Sequence, residues 1–258
     1  MSDQWAAGRV AFITGATSGF GAALARRIVA GGGRVVATGR RADRLDALVG
    51  ELRAANVLAR TLDIRDADAV DAVVRDLPAP FDAVDILVNN AGLSLGMGRA
   101  PDVRLSDWRT MIDTNVTGLA TVTHALLPAM VERNRGDIIN IASVAASYPY
   151  PGGNVYGGTK AFVRQFSLGL RADLLGRRIR VTSVEPGMCE TEFSLVRFAG
   201  DATQAAAVYD GMKPLSADDV ALSIEQVLLL PAHININTIE LMPVQQAFSP
   251  FSVDRSGA

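Results

Sequence analysis

Short, mostly apolar runs alternate with helix-length stretches along nearly the whole chain, and this rhythm limits the fold more than any other feature. Residues 9–14 (RVAFIT), 34–38 (RVVAT), 57–62, 84–89 (VDILVN), 137–142 (DIINIA), 178–184 (RIRVTSV) and 237–241 read as strands. Their apolar positions are largely consecutive rather than alternating, so both faces of the sheet must be covered. Residues 21–30, 43–54, 66–77, 106–133, 154–175 and 216–230 read as the helices that cover it. Strands joined by helix-length connections pair in parallel through right-handed crossovers. The expectation is an α/β, doubly wound sheet of about seven parallel strands with helices on both faces. No linker, low-complexity tract or repeat divides it, so residues 1–258 are expected to form one domain.

Local signals refine this outline. Pro78 ends the third helix, and Pro128 is expected to bend the long helix 106–133. Ser216 is a good N-cap, with Asp218 and Asp219 in the first turn behind it. Residues 195–211 are the least regular interior stretch and are expected to form a mobile flap over a pocket.

Composition excludes some functions. Apolar residues make up 49% and charged residues 20% of the chain, a globular profile. The net charge is −2 with no basic stripe, which gives nucleic-acid binding no electrostatic support. No apolar run is long enough to span a bilayer, and MSDQWAAGR lacks the pattern of a signal peptide. Cys189 is the single cysteine and can form no internal disulfide, so a cytoplasmic setting is expected. His124 and His233 stand in no metal-ligand spacing, and no metal is expected.

A glycine-rich turn between the first strand and first helix points to a dinucleotide and makes the sheet Rossmann-like. Gly15, Thr17, Ser18, Gly19, Phe20 and Gly21 compose it, with the spacing G-x-x-x-G-x-G. Glycines there let the backbone approach a pyrophosphate, and the helix N-terminus offers unpaired N–H groups. After strand two, where an NAD site carries an acid, this chain has Arg40 and Arg41. Two guanidiniums suit a 2′-phosphate, so NADP (NADPH) is expected. Asp63 and Ile64 are placed to meet the adenine. Asn90, Ala91 and Gly92 end strand four with small groups beside the cofactor.

Tyr156 and Lys160 are four apart on a helix and share a face. An ammonium beside a phenol stabilises phenolate; lowering the phenol by ~3 pKa units takes ~4 kcal/mol, which Lys160 and the positive nicotinamide ring of the expected cofactor are to supply together. Ser143, ending strand five, is positioned to hydrogen-bond a reacting oxygen. Asn115 lies mid-helix, a poor place for Asn unless its side chain has a task, here breaking the helix and holding a water for a proton relay. A Y-x-x-x-K pair alone is more often a solvated helix face; Ser143 and the glycine turn weigh against that reading.

With T-G-x-x-x-G-x-G at residues 14–21, N-N-A-G at 89–92 and the set Asn115, Ser143, Tyr156 and Lys160, the whole chain resembles the short-chain dehydrogenase/reductase family. The resemblance implies catalytic roles for those four residues. It also implies cofactor contacts from Pro186, Gly187 and Thr191, whose segment meets the nicotinamide carboxamide in the family. Thr182 stands where many members have Asn. The strings DILVNNAGLSLG, VTSVEPGMCETEFSLVRF and PAHININTIELMPVQQ are similar to the NADP-dependent 3-hydroxy acid dehydrogenase group. That similarity implies oxidation of the β-hydroxyl of serine or small 3-hydroxy acids, or reduction of small semialdehydes in reverse. It also implies a homotetramer built through helices 106–133 and 154–175.

A small anionic substrate needs a cation or hydroxyl donors. Arg197 is the first candidate, with Tyr148 and Tyr150 as hydroxyl donors; the bland readings are a surface charge and pocket walls. Glu185 is more readily structural than a partner for a substrate ammonium, and Trp108 is more readily core. Two alternatives stay open. One keeps the chemistry and takes sulfoacetaldehyde or another small carbonyl. The other is a non-catalytic NADP(H)-sensing protein. The tail at residues 242–253 is apolar and is expected to pack on its own or a neighbouring subunit.

Overall fold

The computed structural model describes residues 4–249 and 251–255. The chain's first three residues, its last three and Pro250 of the apolar tail lie outside them. Among the described residues seven strands form one sheet: β1 (Val10–Ile13), β2 (Arg34–Gly39), β3 (Val57–Thr61), β4 (Val84–Asn89), β5 (Gly136–Ile141), β6 (Ile179–Pro186) and β7 (Thr238–Leu241). Their order is β3-β2-β1-β4-β5-β6-β7, and every pairing is parallel. The order reverses direction between β1 and β4, and a crevice opens there beyond the strands' C-terminal ends.

The sheet is covered on both faces, as its apolar strands require. In β1, Ala11 and Ile13 join one core cluster while Val10 and Phe12 join the other. The first cluster takes Leu24 and Ile28 from α1 (Gly19–Ala30), Leu45 and Leu48 from α2 (Ala42–Leu52), and Val220 and Ile224 from the C-terminal helix. The second takes Val70 from α3 (Ala67–Arg75) together with residues of the two long helices.

The long helical region departs from expectation in an informative way. It divides into α4 (Leu105–Ile112), a π-helical turn (Asp113–Gly118) and α5 (Leu119–Arg133). The interruption falls at Asn115, not at Pro128, which lies within α5. Pro128 and His124, whose carbonyl loses its helical partner, both face solvent, where water can answer that group.

α6 (Asn154–Asp173) follows β5 and carries the Tyr–Lys pair. The stretch expected to be an irregular flap instead holds two six-residue helices, α7 (Glu192–Arg197) and α8 (Ala202–Ala207). Each is capped by its own preceding side chain: Thr191 accepts from the Phe193 N–H, and Asp201 from the Gln204 N–H. α9 (Ala217–Leu229) begins with a reciprocal capping box between Ser216 and Asp219. Among the described residues no helix is long and apolar enough to cross a membrane.

Candidate active site

A cleft of about 380 Å³ runs along the C-terminal ends of the strands, from the glycine turn to the segment following β6. Its near end is built to hold an anion. The N-cap of α1, Ser18, makes no side-chain cap, and no acid stands in the first turn, so the helix's first N–H groups stay available. Gly15 has φ +66°, and a Cβ there would lie 3.0 Å from the Ala91 Cα and the Asn90 Nδ2. The turn therefore seats against the end of β4 only as glycine.

Asn90 secures this arrangement. Its Nδ2 donates to the Thr14 and Gly15 carbonyls at 2.8 and 3.0 Å. Thr14, which the expected site set left out, completes it: its Oγ1 accepts from the Asn90 and Ala91 N–H groups, both at 3.0 Å. The two residues fix the distance between the two loops. The expected line of Thr17, Ser18, Gly19, Phe20, Arg40, Arg41, Asp63, Ile64, Ala91 and Gly92 borders the cleft, together with Pro186, Gly187 and Thr191. Gly21 sits behind the turn, where a Cβ would lie 2.7 Å from the Gly15 carbonyl.

Arg41 is already engaged. It donates to the Thr17 and Ser18 hydroxyls at 2.9 and 2.8 Å and to Glu192 at 2.9 Å. Arg44 reaches the other Glu192 oxygen at 2.5 Å. The two hydrogen bonds hold the Glu192 carboxyl below its ordinary range, Arg44 contributing most. Glu192 thus clasps the α7 side of the cleft to the β2–α2 side. No periodic pattern in the chain marks it. Asp63 is held by Arg65, whose hydrogen bond lowers its pKa.

At the far end Ser143, Tyr156, Lys160, Tyr150 and Arg197 line the same cleft. Ser143 follows β5 with its Oγ accepting from the Ala145 N–H, and its hydroxyl pulls the Tyr156 phenol down against the effect of burial. Lys160 is buried and donates to the Ile141 carbonyl at 2.7 Å. Its Nζ is 5.8 Å from the Tyr156 ring centre. Burial pushes Lys160 down to about 8 and Tyr156 up to about 12. Burial outweighs the cations around Tyr156, and the chief opposing charge is Arg197 rather than Lys160. Arg197 is thus a second cation, beside Lys160, placed to favour phenolate at Tyr156.

Arg197 stacks among rings. Its guanidinium carbon lies 5.0, 5.3 and 6.0 Å from the ring centres of Phe193, Tyr156 and Tyr150. One terminal nitrogen donates to the Tyr150 hydroxyl at 3.1 Å, while Nε is buried with no partner. A buried unpaired donor in a cleft fits an anionic ligand.

Two expected residues, Asn115 and Tyr148, are not among those bordering the cleft. The Asn115 amide accepts from the Leu93 N–H at 2.9 Å and donates to the Leu93 carbonyl at 2.9 Å and the Thr159 hydroxyl at 3.0 Å. It does not line the cleft; it replaces backbone partners for Leu93 and ties that loop to α6. Tyr148 is likewise not a cleft residue, because its hydroxyl donates to Glu240 at 3.2 Å. Glu185 is fully buried, accepts from Ser183 at 2.9 Å and lies outside the cleft. Trp108 packs on the Leu93–Met111–Tyr156 cluster. Cys189 borders the cleft, and burial pushes its thiol up to about 12, far from reactive thiolate. Among the described residues no group of three His, Cys, Asp or Glu is arranged to hold a metal ion.

A parallel doubly wound sheet with a glycine turn at its switch point and a Ser–Tyr–Lys group beyond β5 defines a dinucleotide-dependent dehydrogenase. The family model for short chain dehydrogenases matches residues 9–200. Serine 3-dehydrogenase of Rhizobium radiobacter is 58% identical, covering 94% of this chain and 97% of that one. NADP-dependent 3-hydroxy acid dehydrogenase of Salmonella typhi is 54% identical over 96% of this chain and 100% of that one. The closed form of serine dehydrogenase complexed with NADP+ superposes with a TM-score of 0.91 at 53% identity, covering 92% of this chain and 96% of that chain. The chain belongs to the short-chain dehydrogenase family.

Proposed function

We propose that this protein is an NADP(H)-dependent oxidoreductase that oxidises the β-hydroxyl of serine or of small 3-hydroxy acids, and reduces the matching semialdehydes in reverse. The observation that carries the substrate class is Arg197: its buried, unpaired Nε sits in the cleft 5.3 Å, by its guanidinium carbon, from the Tyr156 ring. A carboxylate paired there presents its β-carbon hydroxyl to Tyr156. The names of the relatives support the same class.

The cofactor's residues follow from the near end of the cleft. The α1 N-terminus and the Gly15–Gly19 turn would hold the pyrophosphate, and Arg40 and Arg41 the 2′-phosphate. Asp63 and Ile64 would meet the adenine, Lys160 the ribose, and Pro186, Gly187 and Thr191 the carboxamide. NADP+, when bound, would supply the hydride acceptor. Tyr156 takes the hydroxyl proton, Ser143 steadies the forming carbonyl oxygen, and Arg197 with Lys160 favours the phenolate. Asn115 acts through Leu93 and α6, as a positioning residue.

The protein is further inferred to be cytoplasmic and to assemble as a homotetramer through α4, α5 and α6. Exposed Leu105, Ile112, Phe162 and Leu168 on α4 and α6 support that assembly, and light scattering tests it; a clean monomer rejects it. The activity is tested by following NADPH absorbance with L-serine, 3-hydroxypropanoate and sulfoacetaldehyde, each with NADP(H) and NAD(H). Turnover of the hydroxy acids with NADP is expected, and its loss in Tyr156→Phe with NADPH binding retained. Tight NADPH binding without any turnover supports a sensing protein instead.

A further inference from the structure

The tail beyond β7 is expected from its sequence only to be apolar packing, yet its described residues build a hairpin against the cleft. The Ala247 N–H donates to the Ser252 carbonyl at 2.9 Å, and Gln246 bridges Val253 in antiparallel fashion. The hairpin is fastened to both segments that wall the far end of the cleft. On one side the Gln246 Oε1 accepts from the Met188 N–H at 2.8 Å. Gly187 permits this approach, since a Cβ there would lie 2.3 Å from that same oxygen. On the other side Gln245 accepts from the Lys213 N–H at 2.7 Å, and Arg255 donates to the Val208 and Asp210 carbonyls. Met188 and Val208 themselves border the cleft.

Held this way, the described residues of the hairpin contribute one side chain to the cleft, Phe251. Its ring meets Tyr150 edge to face, with centres 4.8 Å apart and planes at 88°. Tyr150 in turn accepts from Arg197. Phe251, Tyr150 and Arg197 therefore form one continuous wall, with the cation at one end and the tail's ring at the other. We propose that Phe251 sets the upper size of the substrate: a ligand anchored at Arg197 grows toward the tail's ring, and the C-terminal hairpin is the specificity element of the site. This rests on the reading that Arg197 anchors the substrate's acid group.

The test compares the wild-type protein with Phe251→Ala, Phe251→Leu and Phe251→Trp. kcat/KM is measured over straight-chain 3-hydroxy acids of increasing length and, in parallel, over straight-chain aldehydes with no acid group. One methylene against an apolar wall changes selectivity by about tenfold. Phe251→Ala is expected to raise the long-to-short ratio by about that factor or more, with NADPH affinity unchanged. Phe251→Leu is expected to fall between, and Phe251→Trp to move the ratio the other way. If Phe251→Ala fails to fold, the Leu and Trp variants decide. Ratios that stay within about twofold of wild type in every folded variant overturn the proposal. Failure of wild type on the acids alone removes the substrate class and leaves the size limit to be read on the aldehydes. A wild-type protein inert to both series overturns both.

Discussion

Arg197→Gln isolates the electrostatic part of the chemistry. The guanidinium carbon lies 5.3 Å from the Tyr156 ring centre, and Arg197 is the strongest influence pulling the phenol down from the value that burial imposes. At that separation a unit charge stabilises phenolate by about 3 kcal/mol with an effective dielectric of ~20. Three kcal/mol is about 2 pKa units, reduced to ~1–2 because Arg197 is partly open to water. The variant should therefore shift the limb of the oxidation pH profile that reports Tyr156 upward by ~1–2 units. Just below that limb the rate should fall about 10- to 100-fold. Loss of substrate binding would also slow a carboxylate, so the profile is taken with saturating NADP+ on a small alcohol that has no acid group. Arg197→Lys should restore the limb while leaving KM for serine raised, because an ammonium keeps the charge and loses the planar fork. Superimposable profiles for wild type and Arg197→Gln on the uncharged alcohol would refute the reasoning.

Three further outcomes follow from the same geometry. Lys160 sits near 8 when folded against 10.5 as a free side chain, so the unfolded chain binds more protons between those values and stability rises with pH across that window. Lys160→Met should be the more stable protein at neutral pH by about 1–3 kcal/mol and should lose that rise, as denaturant melts at several pH values will report; an unchanged slope counts against it. Asn115→Ala leaves both backbone groups of Leu93 without their partners and should cost about 2–4 kcal/mol in the same melts; a cost below about 0.5 kcal/mol would make the contact incidental. Glu192→Gln opens the clasp to Arg41 and Arg44 and should speed NADPH release about three- to tenfold in stopped-flow fluorescence; equal release rates exclude a retaining role.

The sheet was legible because its evidence is local and repeated. Seven runs that keep their apolar residues together leave one way to cover both faces, and β1 divides its four residues between the two cores. The anion end was also legible, since glycines at a strand–helix turn and two arginines after β2 have few other uses. What sequence missed depends on pairs distant along the chain. The π-helical turn arises because Asn115 bonds to Leu93 and Thr159, while Pro128, the obvious breaker, sits harmlessly on the wet face of α5. α7 and α8 are too short for a periodic signal and rest on the caps Thr191 and Asp201. Tyr148 and Tyr150 are equivalent in sequence, but one bonds Glu240 on β7 and the other Arg197 on α7. Phe251 reaches the cleft from a segment whose sequence carries no motif, and Glu192 stands beside Thr191 in a motif string where nothing in its residue type marks it.

Burial limits what Tyr156 and Lys160 can do for each other. The same burial that drives Tyr156 toward neutrality also weakens the charge on Lys160, so deepening the site to exclude water works against both. The charge that offsets this comes from a different element: Arg197 on the last turn of α7, with Phe193 of the same helix against the Tyr156 ring. α7 is in turn held by Thr191 at its cap and by Glu192 at the arginines beside the glycine turn. On the proposed chemistry, whatever seats α7 also brings Tyr156 its activating cation. The cofactor end and the reacting end are joined through one six-residue helix, so a substitution at the clasp should be felt in the ionisation of a phenol that it never touches.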